Sequence, residues 1–422
     1  MNEKLVKRLR DRPIDIAELV GFDKFTDLHN DWIRSMMLSD EDETLLGHRA
    51  SYKTSALSVA ISNIIVLKPW ESVLFLRKTE SDVTEIVKQV GKILETSVYR
   101  WMVQQIHGVE LRLNMNAFKV DTNLNTSTRG ASQLIGMGIN GSLTGKHASI
   151  IFTDDIVNIR DRISHAERER TKLQYMELQN IKNRDGRVFN TGTPWHKEDA
   201  ISTLMPNIER YDCYSTGLMD KEQIKKLRES MSPSLFAANY ELKHIADENA
   251  MFGEPHFISD EAAIYEGVAH IDAAYGGEDY TAYTILKKQA DGKIVGFGKL
   301  WDKHVDDCID EIAALHEMYR AGSISCEKNA DKGYLAKELK AKGFEVNTYS
   351  ESTNKYIKIS THLRAAWDDI YWLDDTDPEY LSQILDYTEN AAHDDAPDSV
   401  ASIIRNMAKK KFTYNRDFKG GF

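Results

Sequence analysis

The first stretch with residue types suited to phosphate chemistry runs from Gly47 to Thr54, in the order Gly-His-Arg-Ala-Ser-Tyr-Lys-Thr. It lies between a short apolar segment, Thr44 to Leu46, and a helix-like run from Ser55 to Ile65. In a strand, loop and helix of this kind, backbone N–H groups face an anion, the lysine reaches the terminal phosphates and the threonine ligates Mg²⁺. The pattern G-x-x-x-x-G-K-[ST] requires glycine where this chain has Tyr52. From this stretch alone, a nucleotide site and an ordinary polar loop are both open.

A second stretch places two carboxylates at the end of an apolar segment, because Ala148 to Thr153 is followed directly by Asp154 and Asp155. Ligands of open parallel sheets bind at the carboxyl ends of the strands. We therefore assign Asp154 to Mg²⁺, largely through water, because Mg²⁺ keeps part of its hydration shell. Asp155 is then the candidate to orient and deprotonate an attacking water. A strand ending in an Asp-rich turn is the alternative, but a phosphate loop followed by a carboxylate strand favours the nucleotide interpretation.

The elements that must position these residues alternate between strand and helix. Ser72 to Leu76 is predicted to be a buried strand, and Thr79 with Asp82 predicts a capped helix that continues to about Thr96. Residues 129–145 contain so many glycines that we predict a mobile or ligand-facing loop. The alternation predicts a doubly wound parallel sheet.

A polar helix from Ser164 to Lys182 leads to a strand that ends in Thr191, Gly192 and Thr193. Small hydroxylated residues at that position would sense the terminal phosphate and relay its loss. A plain turn is the competing explanation.

In the second half, three acids stand at strand ends or at a helix start. Asp272 and Glu327 each end a predicted strand, and Asp395 precedes Pro397 at the start of the last helix. Hard oxygen ligands suit Mg²⁺ or Mn²⁺, and two such cations about 4 Å apart activate water and stabilise the leaving oxygen of an in-line displacement. Sequence cannot show that the three acids converge. Secondary candidates are Asp394, Asp398 and His393, and the aspartates also suit helix capping.

Composition excludes several classes of protein. With 422 residues and 41% hydrophobic content, the chain is long enough for two ordinary domains with cores. Its three cysteines are far apart, which argues against a disulfide framework and predicts a reducing compartment. No apolar run approaches the ~20 residues of a membrane span, and the N-terminus lacks the apolar region of a signal peptide. The net charge of -12 gives no global indication of nucleic-acid binding.

Taken together, these motifs resemble those of the large terminase subunits of tailed double-stranded DNA bacteriophages, which are DNA-packaging motors. Arg49 to Thr54 resembles the family's variant phosphate loop, in which an arginine stands four residues before the lysine. Gly138 to Gly145 resembles the glycine segment before the family's acidic strand, and Ile150 to Asp155 is similar to that strand, with Asp155 where many members have glutamate. Thr191 to Trp195 looks like the coupling motif.

The resemblance implies an α/β chain with three parts. Residues 1–205 would form a P-loop ATPase domain of the ASCE type with a parallel-sheet core, residues 206–250 a helical connector, and residues 251–422 an RNase H-like nuclease domain.

The resemblance also implies roles for individual residues. The implied ATP-binding residues are Arg49, Ala50, Ser51, Tyr52, Lys53, Thr54 and Asp154, with Thr54 and Asp154 at the metal; Asp155 is catalytic, and Thr191, Gly192 and Thr193 couple hydrolysis to movement. The implied nuclease metal ligands are Asp272, Glu327 and Asp395, with Asp394 and Asp398 as further ligands, and Lys355 and Lys358 would contact DNA phosphates. An arginine finger would be Arg49 in cis, or Arg129 or Arg160 from a neighbouring subunit.

The implied activity is ATP-driven translocation of viral DNA into a procapsid, with Mg²⁺- or Mn²⁺-dependent cutting of concatemeric DNA. The implied partners are double-stranded DNA, the portal protein, the small terminase subunit and further copies of the chain in a ring, in the cytoplasm of the infected host and outside the virion. A cellular DNA-repair ATPase-nuclease or helicase is one alternative, and an inactive prophage docking module is the other. A helicase needs a second motor domain, and a decayed remnant should lose charged ligands such as Lys53 first.

Overall fold

The computed structural model describes residues 2–127, 130–143, 145–231, 233–244, 251–276, 279–327, 333–351, 354–388, 391 and 393–414. The chain divides into two units. The first contains Met1–Ile224 and Phe236–Ile245, and the second contains Lys225–Leu235 and Ala246–Phe422.

The first unit is built on a mostly parallel sheet. Its strands are β1 Glu43–Gly47, β2 Val73–Arg77, β3 Leu113–Asn116, β4 Lys119–Thr122, β5 Leu134–Gly138, β6 Ala148–Asp154, β7 Lys182–Gly192 and β8 Ile208–Tyr211. Across the described residues the order is β3-β4-β5-β2-β6-β7-β1-β8. In the spatial order β5-β2-β6-β7-β1-β8, each strand pairs in parallel with the next. Strands β3 and β4, and strands β4 and β5, pair antiparallel. The carboxyl ends of six strands therefore share one edge.

The strand order places β7 between β1, which leads into the phosphate loop, and β6, which ends in the acids. An additional strand between these two is the arrangement expected of the ASCE type. The predicted fold class of the first half is confirmed.

Helices cover this sheet because their apolar residues recur at helical spacing. They are α1 Glu3–Asp11, α2 Ile14–Leu19, α3 Asp27–Leu38, α4 Lys53–Leu67, α5 Glu80–Glu95, α6 Ser97–His107, α7 Ile159–Ile163, α8 His165–Ile181 and α9 Ala200–Thr203. In α5, the residues Val83, Ile86, Val87 and Val90 are buried on one face. Helix α4, which follows the phosphate loop, is buried along nearly its whole length because it is apolar on all sides.

The glycine-rich stretch is a correction to the sequence prediction, because residues 134–138 form strand β5 rather than a loop. A Cβ at Gly136 would lie 2.4 Å from Cγ1 of Val83 and 2.9 Å from Cγ2 of Val87. The glycine therefore lets α5 approach the sheet closely, and its role is packing. The glycine content alone could not distinguish a loop from this strand, because α5, the helix that packs on Gly136, lies some 50 residues earlier in the chain.

Residues 206–250, predicted to be a helical connector, contribute a strand as well as helices. Strand β8 pairs with β1, and α10 Lys221–Glu229, α11 Pro233–Phe236 and a π-helical turn, Ala237–Glu241, follow. The domain boundaries given above remain predictions.

The second unit has a mixed sheet. Its strands are β9 His256–Ile258, β10 Val268–Asp272, β11 Thr281–Lys288, β12 Ile294–Trp301, β13 Ile324–Glu327, β14 Val346–Tyr349 and β15 Ile370–Leu373. In the described part of the chain their order is β14-β13-β10-β11-β12-β15-β9. Strands β10, β11 and β12 form an antiparallel meander, and β13 and β14 continue in parallel from the other side of β10. This is the order expected of the RNase H-like fold, so the predicted fold class of the second half is also confirmed.

The helices of the second unit are α12 Ile309–Met318, α13 Tyr334–Ala341, α14 Lys355–Lys358, α15 Arg364–Ala366, α16 Pro378–Leu385 and α17 Asp395–Tyr414. Helix α17 packs across β10 and β11, which brings its first turn to the sheet edge where Asp272 ends β10. The side chains of Cys213, Cys308 and Cys326 are buried, and these three residues form no disulfide bond. Among the described residues, we find no helix that is both long and apolar enough to span a bilayer.

Candidate functional site

The phosphate loop of the first unit makes its tight turn without glycine. Ala50 has φ 65° and Tyr52 has φ 59°, both in the left-handed region. Tyr52 is the N-cap residue of α4, with ψ 17°. A side chain in this conformation costs roughly 1–2 kcal/mol, so surrounding contacts must hold the loop in place.

Hydrogen bonds to residues outside the loop help to hold it in place. The backbone N–H of Arg49 donates to the carbonyl of Asn239 at 2.7 Å. His29 is buried, and its Nδ1 accepts from the backbone N–H of Thr26 at 2.9 Å. Its Nε2 therefore carries the proton and donates to the carbonyl of Ser51 at 2.9 Å. Burial lowers the pKa of His29, so the ring is neutral and this arrangement persists at neutral pH.

The loop borders a cavity of about 420 Å³. Its walls include every residue from His48 to Ser55, together with Arg77, Asp155 and Thr193. A cavity of this size is within the range of small-ligand sites. The N-terminus of α4 opens into it, which favours an anionic ligand.

Asp154 joins the loop to two neighbouring strands. Its Oδ2 accepts from Thr54 Oγ1 at 3.1 Å, and its Oδ1 accepts from Thr191 Oγ1 at 2.6 Å. Thr191 is the residue before the end of β7, and it pairs in register with Asp154 of β6. The predicted phosphate loop, metal acid and coupling residue thus meet at one sheet edge.

Asp155 lies at the mouth of the same site. Its backbone is left-handed, with φ 47°, and its N–H donates to the carbonyl of Thr191 at 3.0 Å. Its Oδ1 lies 3.6 Å from Nζ of Lys53 and has no hydrogen-bond partner among the described residues. A Cβ on Gly192 would lie 3.6 Å from that oxygen, so the coupling segment passes directly beside Asp155.

The sequence interpretation missed Arg77, the last residue of β2. Its Nε lies 3.1 Å from Asp154 Oδ2, and its Nη2 lies 3.7 Å from Asp155 Oδ2. The signal that identifies it is its place at the carboxyl end of a strand that pairs with β6. That pairing is a property of the sheet and is not visible in the local sequence.

The electrostatics of this edge suit a cation. Burial raises the pKa of Asp154, the nearby Asp155 carboxylate raises it further, and Arg77, Lys53 and Thr191 oppose the shift. Two adjacent acids, one of them fully buried, favour a positive charge beside them. The hydroxyl of Thr54 next to the Asp154 carboxylate is a donor set that fits a partly hydrated Mg²⁺.

The three arginine-finger candidates fall in different places. Arg49 is exposed and lines the cavity. Arg160 is exposed in the first turn of α7. Arg129 lies outside the described residues, so it stays a prediction from sequence.

The second unit brings four of its predicted acids to one sheet edge. Asp272 and Glu327 directly follow Ile271 and Cys326, which pair in register between β10 and β13. Asp395 and Asp398 occupy the first turn of α17.

Three of these acids, Asp272, Asp395 and Asp398, interact electrostatically. Asp272 Oδ2 is shielded from solvent and has no hydrogen-bond partner among the described residues. Burial raises its pKa well above the usual range, and the carboxylates of Asp398 and Asp395 add to the shift. Burial raises the pKa of Asp395 to about 6. A buried acceptor without a donor, near two other acids, fits a divalent cation.

Two lysines already neutralise part of this cluster. Lys355 Nζ donates to Asp394 Oδ1 at 2.7 Å. Lys358 is 1% exposed, and its Nζ lies 2.8 Å from Asp398 Oδ1 and 3.3 Å from Glu351 Oε2. The assignment of Lys358 to DNA phosphates needs correction, because a buried ammonium between two acids does not face a DNA surface. Lys355 is half exposed and remains a candidate for that contact.

Within the ranges that the structure describes, no three His, Cys, Asp or Glu side chains are arranged as they would be around one ion. The lysine pairs of Asp394 and Asp398 explain part of this, since these acids face ammonium groups. His393 is 7% exposed and neither ring nitrogen has a partner among the described residues, so it stays a secondary candidate. Metal binding by Asp272, Glu327 and Asp395 remains a prediction.

Comparisons with known proteins give structural matches only. No model of a known protein family matches the chain, and no curated protein matches its sequence. A large terminase from a thermophilic bacteriophage is 11% identical over 91% of this chain and 99% of its own length, with a TM-score of 0.40. The HK97 bacteriophage large terminase is 11% identical over 82% of this chain and 85% of its own, with a TM-score of 0.37.

The large terminase nuclease of the thermophilic phage G20c, solved with bound zinc, is 17% identical over 36% of this chain and 91% of its own, with a TM-score of 0.28. These structures come from the family that the sequence motifs resemble.

Proposed function

We propose that the chain is a DNA-packaging motor that hydrolyses ATP in its first unit to move double-stranded viral DNA into a procapsid, and cuts concatemeric DNA in its second unit. The observation that carries the proposal is the meeting of Lys53, Thr54 and the Asp154–Asp155 pair at the carboxyl edge of a parallel sheet. Thr54 and Asp154, which are 100 residues apart in sequence, meet there beside one cavity that suits an anion.

In this proposal each group at the edge has one task. The loop N–H groups and Lys53 bind the phosphates, and Thr54 with Asp154 would hold Mg²⁺, which neutralises charge on the transferred phosphoryl group. Asp155 orients the attacking water, and its side chain is partly open to the cavity. Thr191, hydrogen-bonded to Asp154, would pass a change at the phosphates along β7 to its last residue, Gly192, and on to Thr193.

The second unit would cut DNA with the acids at the ends of β10 and β13 and at the start of α17. Asp272, Glu327 and Asp395 would hold Mg²⁺ or Mn²⁺, which activates a water for attack on a phosphodiester. Asp272 carries the strongest support, because its Oδ2 is buried without a partner in the described region.

The partners follow from the proposed activity. A packaging motor acts on double-stranded DNA and docks on the portal of a procapsid, with a small terminase subunit to select the DNA. A ring of copies on the portal would allow an arginine such as Arg160, exposed in α7, to reach a neighbouring cavity. The site of action would be the cytoplasm of the infected host.

The test is DNA retention by procapsids carrying the matching portal. Wild-type chain, ATP, Mg²⁺ and linear DNA should leave DNA inside the capsid, protected from added DNase, whereas the Lys53→Ala chain should leave none. DNA-stimulated ATP hydrolysis with no protected DNA would favour a repair-type enzyme. Absence of both activities would favour a docking module.

A further inference from the structure

Arg77 is positioned for a task that the proposed roles leave unfilled. Its guanidinium faces both acids of the nucleotide site, with Nε 3.1 Å from Asp154 Oδ2 and Nη2 3.7 Å from Asp155 Oδ2. A third contact, from Nη1 to the carbonyl of Asp82, is long at 3.5 Å. Its side chain is 16% exposed and lines the same cavity as Lys53 and Thr54.

The contact between Arg77 and Asp154 occupies a carboxylate oxygen that the proposed chemistry needs. Asp154 Oδ2 accepts from Thr54 Oγ1 at 3.1 Å, and Arg77 Nε lies at the same distance from the same atom. A metal ion held between Thr54 and Asp154 would compete with Arg77 for this oxygen. A guanidinium displaced from it keeps its charge and needs another anion within reach.

The backbone of Arg77 is held by a hydrogen bond, whereas its side chain borders the cavity. Its carbonyl accepts from the N–H of Ile139 at 2.7 Å. The next residue, Lys78, is buried, and its Nζ donates to Asp161 Oδ2 at 2.9 Å and to Thr171 Oγ1 at 2.7 Å. Because these contacts hold the end of β2, the Arg77 side chain can exchange one anionic partner for another without movement of the strand.

We infer that Arg77 is a second cationic ligand for the terminal phosphate, held on Asp154 and Asp155 until a nucleoside triphosphate enters the cavity. The inference rests on the proposed ATPase function and adds to it a residue that distinguishes triphosphate from diphosphate. Lys53 serves as a point charge for the phosphates, whereas the planar fork of Arg77 presents two parallel donors to phosphate oxygens. The residue acts in cis, from the same chain as the phosphate loop.

The test compares the binding of ADP and of a non-hydrolysable ATP analogue, both with Mg²⁺, by the full chain and its Arg77→Gln and Arg77→Lys variants. Arg112→Gln is the matched control, because Arg112 is an exposed arginine of the same unit. Loss of a charge-assisted hydrogen bond should weaken the analogue about tenfold or more in Arg77→Gln, and ADP by less than about threefold. Arg77→Lys should restore part of the affinity, because it restores the charge without the fork.

Equal weakening of both nucleotides, or no weakening of either, would overturn the inference. A variant that loses affinity together with its cooperative thermal unfolding counts as misfolded, and the decision then passes to Arg77→Lys, in which charge and length are largely kept. If the unsubstituted chain binds neither nucleotide, the proposed ATPase function fails as well. The two failures are distinguishable: if only the Arg77 inference is wrong, the wild type binds both nucleotides and the Arg77 variants bind them with unchanged preference.

Discussion

Nζ of Lys53 lies 3.6 Å from Oδ1 of Asp155, and this pair joins the phosphate loop to the acidic strand across a cavity. The lysine side chain is 8% exposed and the aspartate side chain is 35% exposed, so the aspartate is the more accessible of the two. An anion that enters the cavity would approach the Lys53 ammonium group, which already faces the carboxylate of Asp155. In the proposed function, the lysine that would bind phosphate therefore lies beside the aspartate that would orient the attacking water.

Tyr52 should reveal the left-handed turn of the loop in its response to substitution. Both Tyr52→Ala and Tyr52→Gly remove the ring, but only glycine adopts φ 59° without strain. We expect Tyr52→Gly to unfold with a free energy about 1 kcal/mol higher than that of Tyr52→Ala. Chemical denaturation of both variants measures the difference.

The control for that prediction is Tyr214, which is exposed in the same unit and does not have positive φ. There the alanine variant should equal or exceed the glycine variant in stability. If the alanine variant equals or exceeds the glycine variant in stability at Tyr52 as well, the backbone of Tyr52 is not strained.

Asp272→Asn should stop Mn²⁺-dependent cutting of plasmid DNA without loss of stability. The substitution is nearly isosteric and removes an acid whose charged form is disfavoured by burial and by the carboxylates of Asp398 and Asp395. Plasmid cleavage and thermal unfolding of the full chain are the two measurements. Asp368→Asn, at an exposed position of the same unit, should leave cleavage unchanged. Cleavage at the wild-type rate by Asp272→Asn would remove this residue from the metal site.

Lys358 and Lys355 should differ in their effect on stability. Lys358 is buried between Asp398 and Glu351, so Lys358→Met leaves buried acids without their cation and should cost about 3 kcal/mol or more. Lys355 is 51% exposed at its side chain, so Lys355→Met should change the free energy of unfolding by less than about 1 kcal/mol. Denaturant titration measures both, and similar small effects would restore Lys358 as a candidate for DNA contact.

His270 should make the second unit sensitive to acid. Burial lowers its pKa to about 3, with further lowering from Lys358 and Arg405. Its Nδ1 and Nε2 lie 2.8 Å from the hydroxyls of Ser399 and Tyr349. Because the folded state binds fewer protons at this ring than the unfolded state between pH 6.5 and 3, stability falls as pH falls through that window.

The slope from this one ring is at most about 1.4 kcal/mol per pH unit. His270→Gln should flatten the pH dependence of unfolding below pH 6.5, because glutamine has no proton to gain. His256→Gln, at an exposed position of the same unit, should not change it. Parallel pH profiles for His270→Gln and the wild type would contradict the prediction.

Local signals were sufficient for most of the elements. The apolar run before Asp154 and the capping pair at Thr79 predicted β6 and α5 with errors of about a residue, because strand burial and helix capping are decided by near neighbours. The phosphate loop could also be predicted despite Tyr52, since Lys53 and Thr54 are adjacent in the chain.

What local sequence could not supply is the order of the strands. Arg77 was missed because its role depends on β2 lying beside β6, and the glycine segment was predicted wrongly because Gly136 packs against Val83 and Val87 of α5. Lys358 was assigned to DNA for a related reason. Its burial depends on α17, which begins some 40 residues later and supplies Asp398. In each case the partner is remote, so composition and spacing give no indication of it.

The most direct test of the account is ATP hydrolysis by the full chain in the presence of DNA, measured for the wild type and for Lys53→Ala. Lys88→Ala is the matched control, because Lys88 is an exposed lysine of the same unit. We expect DNA-stimulated release of phosphate by the wild type and by Lys88→Ala, loss of that release in Lys53→Ala, and undiminished Mn²⁺-dependent DNA cutting in all three. Equal ATP turnover by the wild type and Lys53→Ala would contradict the proposed role of Lys53 in ATP hydrolysis.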